Sequence, residues 1–113
     1  MKISFDYDKT LTLPVIYDYA KNLKSRGKEI FIITSRFENP LDLNNQLFET
    51  AEKLDVPRGN IRFTNGLPKT DFLQDIQIHY DDDPLEIEFI KESGIKCLGV
   101  LITDMKLYKN HKG

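Results

Sequence analysis

The chain has 113 residues, with 16 Lys and Arg against 18 Asp and Glu, a formal net charge of -2 and 40% hydrophobic content; this is the size of one globular domain and leaves no room for a second. The near balance of charge gives no global reason to expect nucleic acid or an anionic membrane as a partner, so any such binding must be local. No apolar run reaches the roughly 18 residues a membrane helix needs. Cys97 is the single cysteine and Met1-Lys2-Ile3-Ser4 lacks a leader-like apolar core, so the reading is a soluble, cytoplasmic protein with no membrane partner.

Ile3 to Tyr7 is short and rich in aromatic and branched residues, which predicts a strand. From Pro14 the period changes: Val15, Ile16, Tyr19, Ala20 and Leu23 recur at helical spacing, with Pro14 suited to the first helical position and Gly27 to the residue past the end. Glu29 to Ile33 is a continuous apolar run without alternation, as in a parallel strand covered on both faces. Asn39-Pro40 opens a second helical stretch with Leu43, Leu47, Phe48, Ala51 and Leu54 as its stripe, closed by Asp55-Val56-Pro57. Ile61 to Phe63 is a short strand, and Lys69 to Leu73 one or two helical turns entered at Pro68. Ile76 to Tyr80 is a strand running into Asp81-Asp82-Asp83, Pro84 starts a helix through Ile87, Phe89 and Ile90 to Gly94, and Ile95 to Ile102 is a last strand. This alternation predicts an α/β fold of Rossmann-like type with a mainly parallel five-stranded sheet. Residues 1–105 form the domain and 106–113, with Lys106, Lys109, His111 and Lys112, a polar tail.

The chemistry-bearing residues gather at strand carboxyl ends. Asp6 and Asp8 follow the first strand, Thr34-Ser35-Arg36 the second, and Asp81 to Asp83 the fourth, while Lys69 opens a helix; open α/β sheets bind ligands at that edge. Clustered carboxylates raise one another's pKa or call for a hard cation. Individually each residue has a plainer role: Thr34 and Ser35 as turn caps, Lys69 as a surface helix residue, Arg36 as a solvated side chain, His79 as a partnered sheet histidine, Cys97 as a small core residue. Asp83 before Pro84 suits an N-cap.

Taken together, DYDKT at Asp6 to Thr10, IITSR with Thr34, PKT with Lys69, and HYDDD with Asp81 and Asp82 resemble the four ordered motifs of the haloacid dehalogenase-like (HAD) phosphohydrolases, over nearly the whole chain. The resemblance implies a three-layer core and a Mg2+-dependent phosphatase, with Asp6 as nucleophile, Asp8 as general acid and base, and Thr34 and Lys69 holding the phosphoryl group. Ser35 and Arg36 are further substrate-binding candidates. Mg2+ would sit on Asp6, the Asp8 carbonyl and either Asp81 or Asp82; a register in which Asp82 and Asp83 form the functional pair stays open.

Relatives in that family commonly carry a cap, for which residues 9–13 and 64–68 leave no space. An open site admits a bulky phosphorylated partner such as a nucleic-acid end or a phosphoprotein, unless another subunit of an oligomer acts as a lid. His79 to Val100 is also similar, more weakly, to the 3'-phosphatase domain of polynucleotide kinases, although no basic groove tracks a nucleic-acid backbone. Two other readings are weighed: a non-catalytic binding module on the same fold, against which the four intact motifs argue, and a phospho-accepting receiver domain, whose acidic pair belongs at the first strand and whose phosphorylated Asp at a later one, whereas this chain has DxD first and the acidic run later.

Overall fold

Five strands, β1 (Lys2–Phe5), β2 (Glu29–Thr34), β3 (Ile61–Phe63), β4 (Ile78–Asp81) and β5 (Leu98–Leu101), make one sheet in the computed structural model, which describes residues 1–107. The order is β3-β2-β1-β4-β5 and every pairing is parallel, so the five-stranded α/β sheet expected from the sequence is present and parallel throughout. Of the expected tail, Lys109, His111 and Lys112 lie outside the described residues, and Leu107 packs on the core. Among the described residues no helix is long and apolar enough to cross a membrane.

The run of apolar residues in β2 has two faces to fill. Ile30 and Ile32 join a cluster with Ile3 and Phe5 of β1, Ile16, Ala20 and Leu23 of α1 (Pro14–Ser25), and Leu47 and Ala51 of α2 (Asn45–Lys53). Phe31 and Ile33 join a second, with Leu73, Ile76, Cys97, and Ile87 and Ile90 of α3 (Pro84–Ser93). A strand covered on both sides has no face to leave polar, which is why alternation is missing there.

α3 begins as its sequence dictates. Pro84 occupies the first helical position, the Asp83 carboxylate accepts the Leu85 N–H at 2.9 Å, and Gly94 closes the helix at φ 74°. Asp83→Ala should cost about 1 kcal/mol, the usual worth of such a cap, measured as a shift in urea midpoint; an unchanged midpoint would remove the cap as a source of stability.

Four boundaries differ from the sequence reading. β1 ends at Phe5 because the chain turns at Tyr7–Leu11, closed by the Leu11 N–H to the Asp6 carbonyl, with Lys9 in the left-handed region at φ 59°. β4 starts at Ile78, since the Ile76 N–H bonds back to the Leu73 carbonyl; Ile76 is apolar because it is buried, not because it is in the strand. β5 starts at Leu98, after the buried Cys97. Asn39-Pro40 opens no α-helix: Leu41–Asn44 is a tight 3-10 turn, and Leu43 is 71% exposed rather than part of the apolar stripe. The inward residue there is Asn44, whose amide donates to the Phe37 and Glu38 carbonyls. In α3, Phe89 likewise stands half-exposed beside the buried Ile90.

The strand order has one functional consequence. From β1 the chain builds outward through β2 and β3, then returns to the other side of β1 for β4 and β5. Successive connections diverge there, so the crevice opens beyond the carboxyl ends of β1 and β4.

Candidate functional site

Asp6 leaves the end of β1 and Asp81 is the last residue of β4, with the Asp6 N–H bonded to the Tyr80 carbonyl at 2.9 Å. Between them stands Lys69, at the start of the short turn Lys69–Phe72 and 2% exposed. Its ammonium donates to Asp6 Oδ1 at 2.8 Å and to Asp81 Oδ2 at 2.7 Å. A cation this deep is tolerable only because both contacts are carboxylates. Those carboxylates hold its pKa above the usual lysine value against the opposing effect of burial.

Asp81 has a second donor. His79, fully buried, lies 2.8 Å from Asp81 Oδ2 through Nε2 and 2.7 Å from Ser4 Oγ through Nδ1. A carboxylate only accepts, so the ring proton sits on Nε2, and Nδ1 accepts from the serine. Burial lowers the His79 pKa in spite of Asp81, which leaves the ring neutral.

The two carboxylates that share Lys69 therefore differ. Burial pushes Asp6 up to about 8, against the pull of Lys69 and with the Asp81 charge adding to the rise. Burial opposes Asp81 as well, but His79 and Lys69 hold it at about 2. Asp81 makes the larger number of bonds and keeps the negative charge.

Asp82 completes the group. Oxygens from Asp6, Asp81 and Asp82, one each, lie within 4.8 Å of one another. Each carboxylate retains an oxygen that Lys69 does not take, and all the donors are hard oxygens, which fits a small divalent cation. Thr10 ties the pieces together, its hydroxyl 3.2 Å from Asp82 Oδ1 and 3.5 Å from Asp6 Oδ2.

Asp8 stands apart from this triad. Its half-exposed carboxylate is held by Arg36 in a fork, Nε to Oδ2 at 2.8 Å and Nη2 to Oδ1 at 2.7 Å, and the guanidinium beside it keeps its pKa below the usual carboxylate range. Arg36 is anchored in turn by the Leu43 carbonyl and Asn44 Oδ1, each at 3.2 Å, and its guanidinium lies over the Tyr7 ring. Asp6, Asp8, Ser35, Lys69, Asp81 and Asp82 line one cavity of about 370 Å³. Thr34 is fully buried, and its hydroxyl accepts the Arg36 N–H at 3.2 Å. The bond closes the turn after β2 and leaves the hydroxyl proton free to donate.

No family model matches this sequence, and no curated protein does.

Every sequence-derived candidate except Thr34 and Arg36 thus lines this cavity, and those two stand next to Ser35 in the chain. His79 is the partnered sheet histidine expected, and Asp83 is the N-cap. Three contributors were not singled out from the sequence, Ser4, Asn44 and Glu86, while Thr10 closes the DYDKT motif but was given no role of its own. Glu86 accepts the Lys69 N–H at 3.3 Å, and burial raises its pKa. Ser4 carried a readable signal, being the one polar residue between Ile3 and Phe5 in a buried strand; it lies in register with His79, a buried polar residue of β4.

Proposed function

We propose that this chain is a Mg2+-dependent phosphomonoester hydrolase, a three-layer HAD-like core without a cap, working through an aspartyl-phosphate on Asp6. The observation that carries the reading is Asp6 itself, paired with a buried lysine next to two further carboxylates at the topological switch of the sheet. A carboxylate so placed has a charged neighbour to receive the phosphoryl oxygens and cation ligands at its side. Mg2+, held by Asp6, the Asp8 carbonyl and a carboxylate of the β4 pair, would offset the charge of the phosphate and of the acids around it. Asp82 is favoured for that contact, because Asp81 Oδ2 already receives Lys69 and His79 and its Oδ1 receives the Asp83 N–H.

In the first step an oxygen of ionised Asp6, a carboxyl that burial holds at about 8 without metal and that a cation beside it would bring down, attacks phosphorus, the bond to the leaving oxygen breaks, and Asp8 delivers a proton to that oxygen. In the second a water attacks the aspartyl-phosphate, Asp8 takes its proton, and phosphate leaves with Asp6 restored. Lys69 and the Thr34 and Ser35 hydroxyls hold the phosphoryl oxygens. The Arg36 pair suits the base half of this cycle, in which Asp8 is an anion; the acid half requires the pair to part.

Phosphate release from a nitrophenyl phosphate with Mg2+, abolished by a chelator, tests the reading; Mg2+ binding without release would leave a binding module instead. Asp8→Asn refines it. General acid and base assistance is worth on the order of 10²- to 10⁴-fold, and the loss should be smaller for a nitrophenolate, which leaves without a proton, than for an alkyl phosphate. An equal loss on both substrates would take proton delivery away from Asp8.

A further inference from the structure

A second cavity of about 380 Å³ adjoins the first, lined by Arg36, Phe37, Asn39, Leu43 and Asn44. The two meet at the Asp8–Arg36 pair, since Asp8 lines one and Arg36 the other. The wall between the loops after β2 and β3 is built in advance. The Gly66 N–H donates to the Ser35 carbonyl at 2.8 Å, the Asn65 N–H to the Arg36 carbonyl at 3.2 Å, and the Glu38 N–H to Asn65 Oδ1 at 3.3 Å. Asn44 holds the Phe37 and Glu38 carbonyls from the other side. This scaffold presents an aromatic ring that the fold does not bury. Phe37 is 65% exposed, and a Cβ added at Gly66 would stand 3.7 Å from its ring.

We infer that this cavity receives the base of a nucleoside monophosphate, stacked on Phe37, while its phosphate occupies the Asp6 site. The inference rests on the phosphatase reading for the phosphate half. The occupant is flat, because an exposed ring on a pre-ordered wall offers a stacking surface. It carries hydrogen-bonding groups at its rim, because Arg36, Asn39 and Asn44 line the cavity together with Phe37 and Leu43. It is joined to the phosphate through a spacer, because the Asp8–Arg36 pair stands between the two cavities. A ribose supplies that spacer. A single nucleotide suits the chain better than a polynucleotide, since a net charge of -2 provides no basic track for further phosphates. Hydrolysis then adds water across the ester bond and releases nucleoside and inorganic phosphate.

The test compares adenosine 5'-monophosphate with ribose 5-phosphate, which share the phosphate and sugar and differ only in the base. The parent protein should favour the nucleotide in kcat/KM by about tenfold, the usual worth of one stacked base. In Phe37→Ala the ratio should fall to about one, and Phe37→Tyr should keep it. A ratio near one in the parent, or a ratio that Phe37→Ala leaves alone, overturns the inference while the phosphatase stands. Binding of fluorescent ethenoadenosine monophosphate with Mg2+ covers the converse: binding that Phe37→Ala loses, without hydrolysis of any phosphate, supports the base site and removes the phosphatase. Absence of binding in the parent overturns the base site. Sedimentation of both proteins is the last arm; self-association lost in Phe37→Ala with the ratio unchanged would make this face a contact between copies and overturn the inference.

Discussion

Asp6→Asn should lose turnover by on the order of 10⁴- to 10⁶-fold, the scale seen when the nucleophile of a covalent mechanism is removed, and yet gain stability in the absence of metal. The two effects have one origin. Asp6 is buried beside Asp81 and shares its lysine, and its carboxyl is pushed from 3.8 up to about 8. A carboxyl raised in this way is protonated in the folded chain while still ionised in the unfolded one, so its contribution to stability is complete below about pH 4 and is lost as the pH rises toward about 8. Stability falls with rising pH throughout that window, because the folded chain holds a proton that the unfolded one has released. Asparagine does not titrate, and its amide oxygen can still accept from Lys69. The melting temperatures of parent and variant, measured with chelator, should therefore nearly coincide near pH 4 and separate in favour of the variant up to about pH 8. His79 adds an opposite slope, losing stability as the pH falls below 6.5, but it is present in both proteins and cancels in the difference. Parallel curves would mean that Asp6 is not the group carrying the buried charge penalty.

Lys69→Met is the second large effect, and it acts on stability first. Methionine fills a similar volume but leaves Asp6 and Asp81 facing each other without the ammonium that now lies within 2.8 Å of both. Removing one partner of a buried ion pair costs about 3–5 kcal/mol, and the loss should show in urea unfolding at neutral pH. The deficit should grow as the pH rises, because both carboxyls escape the penalty by taking up a proton. Adding Asp6→Asn should recover part of the loss, the sign of coupling between neighbours. Mg2+ should raise the melting temperature of Lys69→Met more than that of the parent, since a cation on the triad replaces the missing charge. Additive effects of the two substitutions would show that Lys69 and Asp6 do not depend on each other.

Much of this was legible in the chain because it depends on local chemistry. The apolar run Ile30 to Ile33, branched and too short for a helix, reads as a covered strand, and Asp83-Pro84 reads as a helix start. The order of strands and helices implies that Asp6, the Thr34 turn and Asp81 emerge at one edge, so the members of the site could be named before their distances were known.

Partnership was not legible, because it depends on which side chains a fold buries together. Nothing in the spacing of Asp8 and Arg36 indicates that one would fork onto the other, or that Asn44 rather than Leu43 would turn inward to steady the loop. Nor does the sequence say which carboxylate of the β4 pair is spoken for. Only the parallel register that sets Ser4 beside His79, and the short turn that drops Lys69 between Asp6 and Asp81, decide that Asp81 keeps its charge in the interior while Asp6 gives up its own. The difference is physical: the tendency to form a strand or a cap resides in a few consecutive residues, whereas the buried charges of Asp6 and Asp81 depend on Lys69, 63 and 12 positions away in the chain.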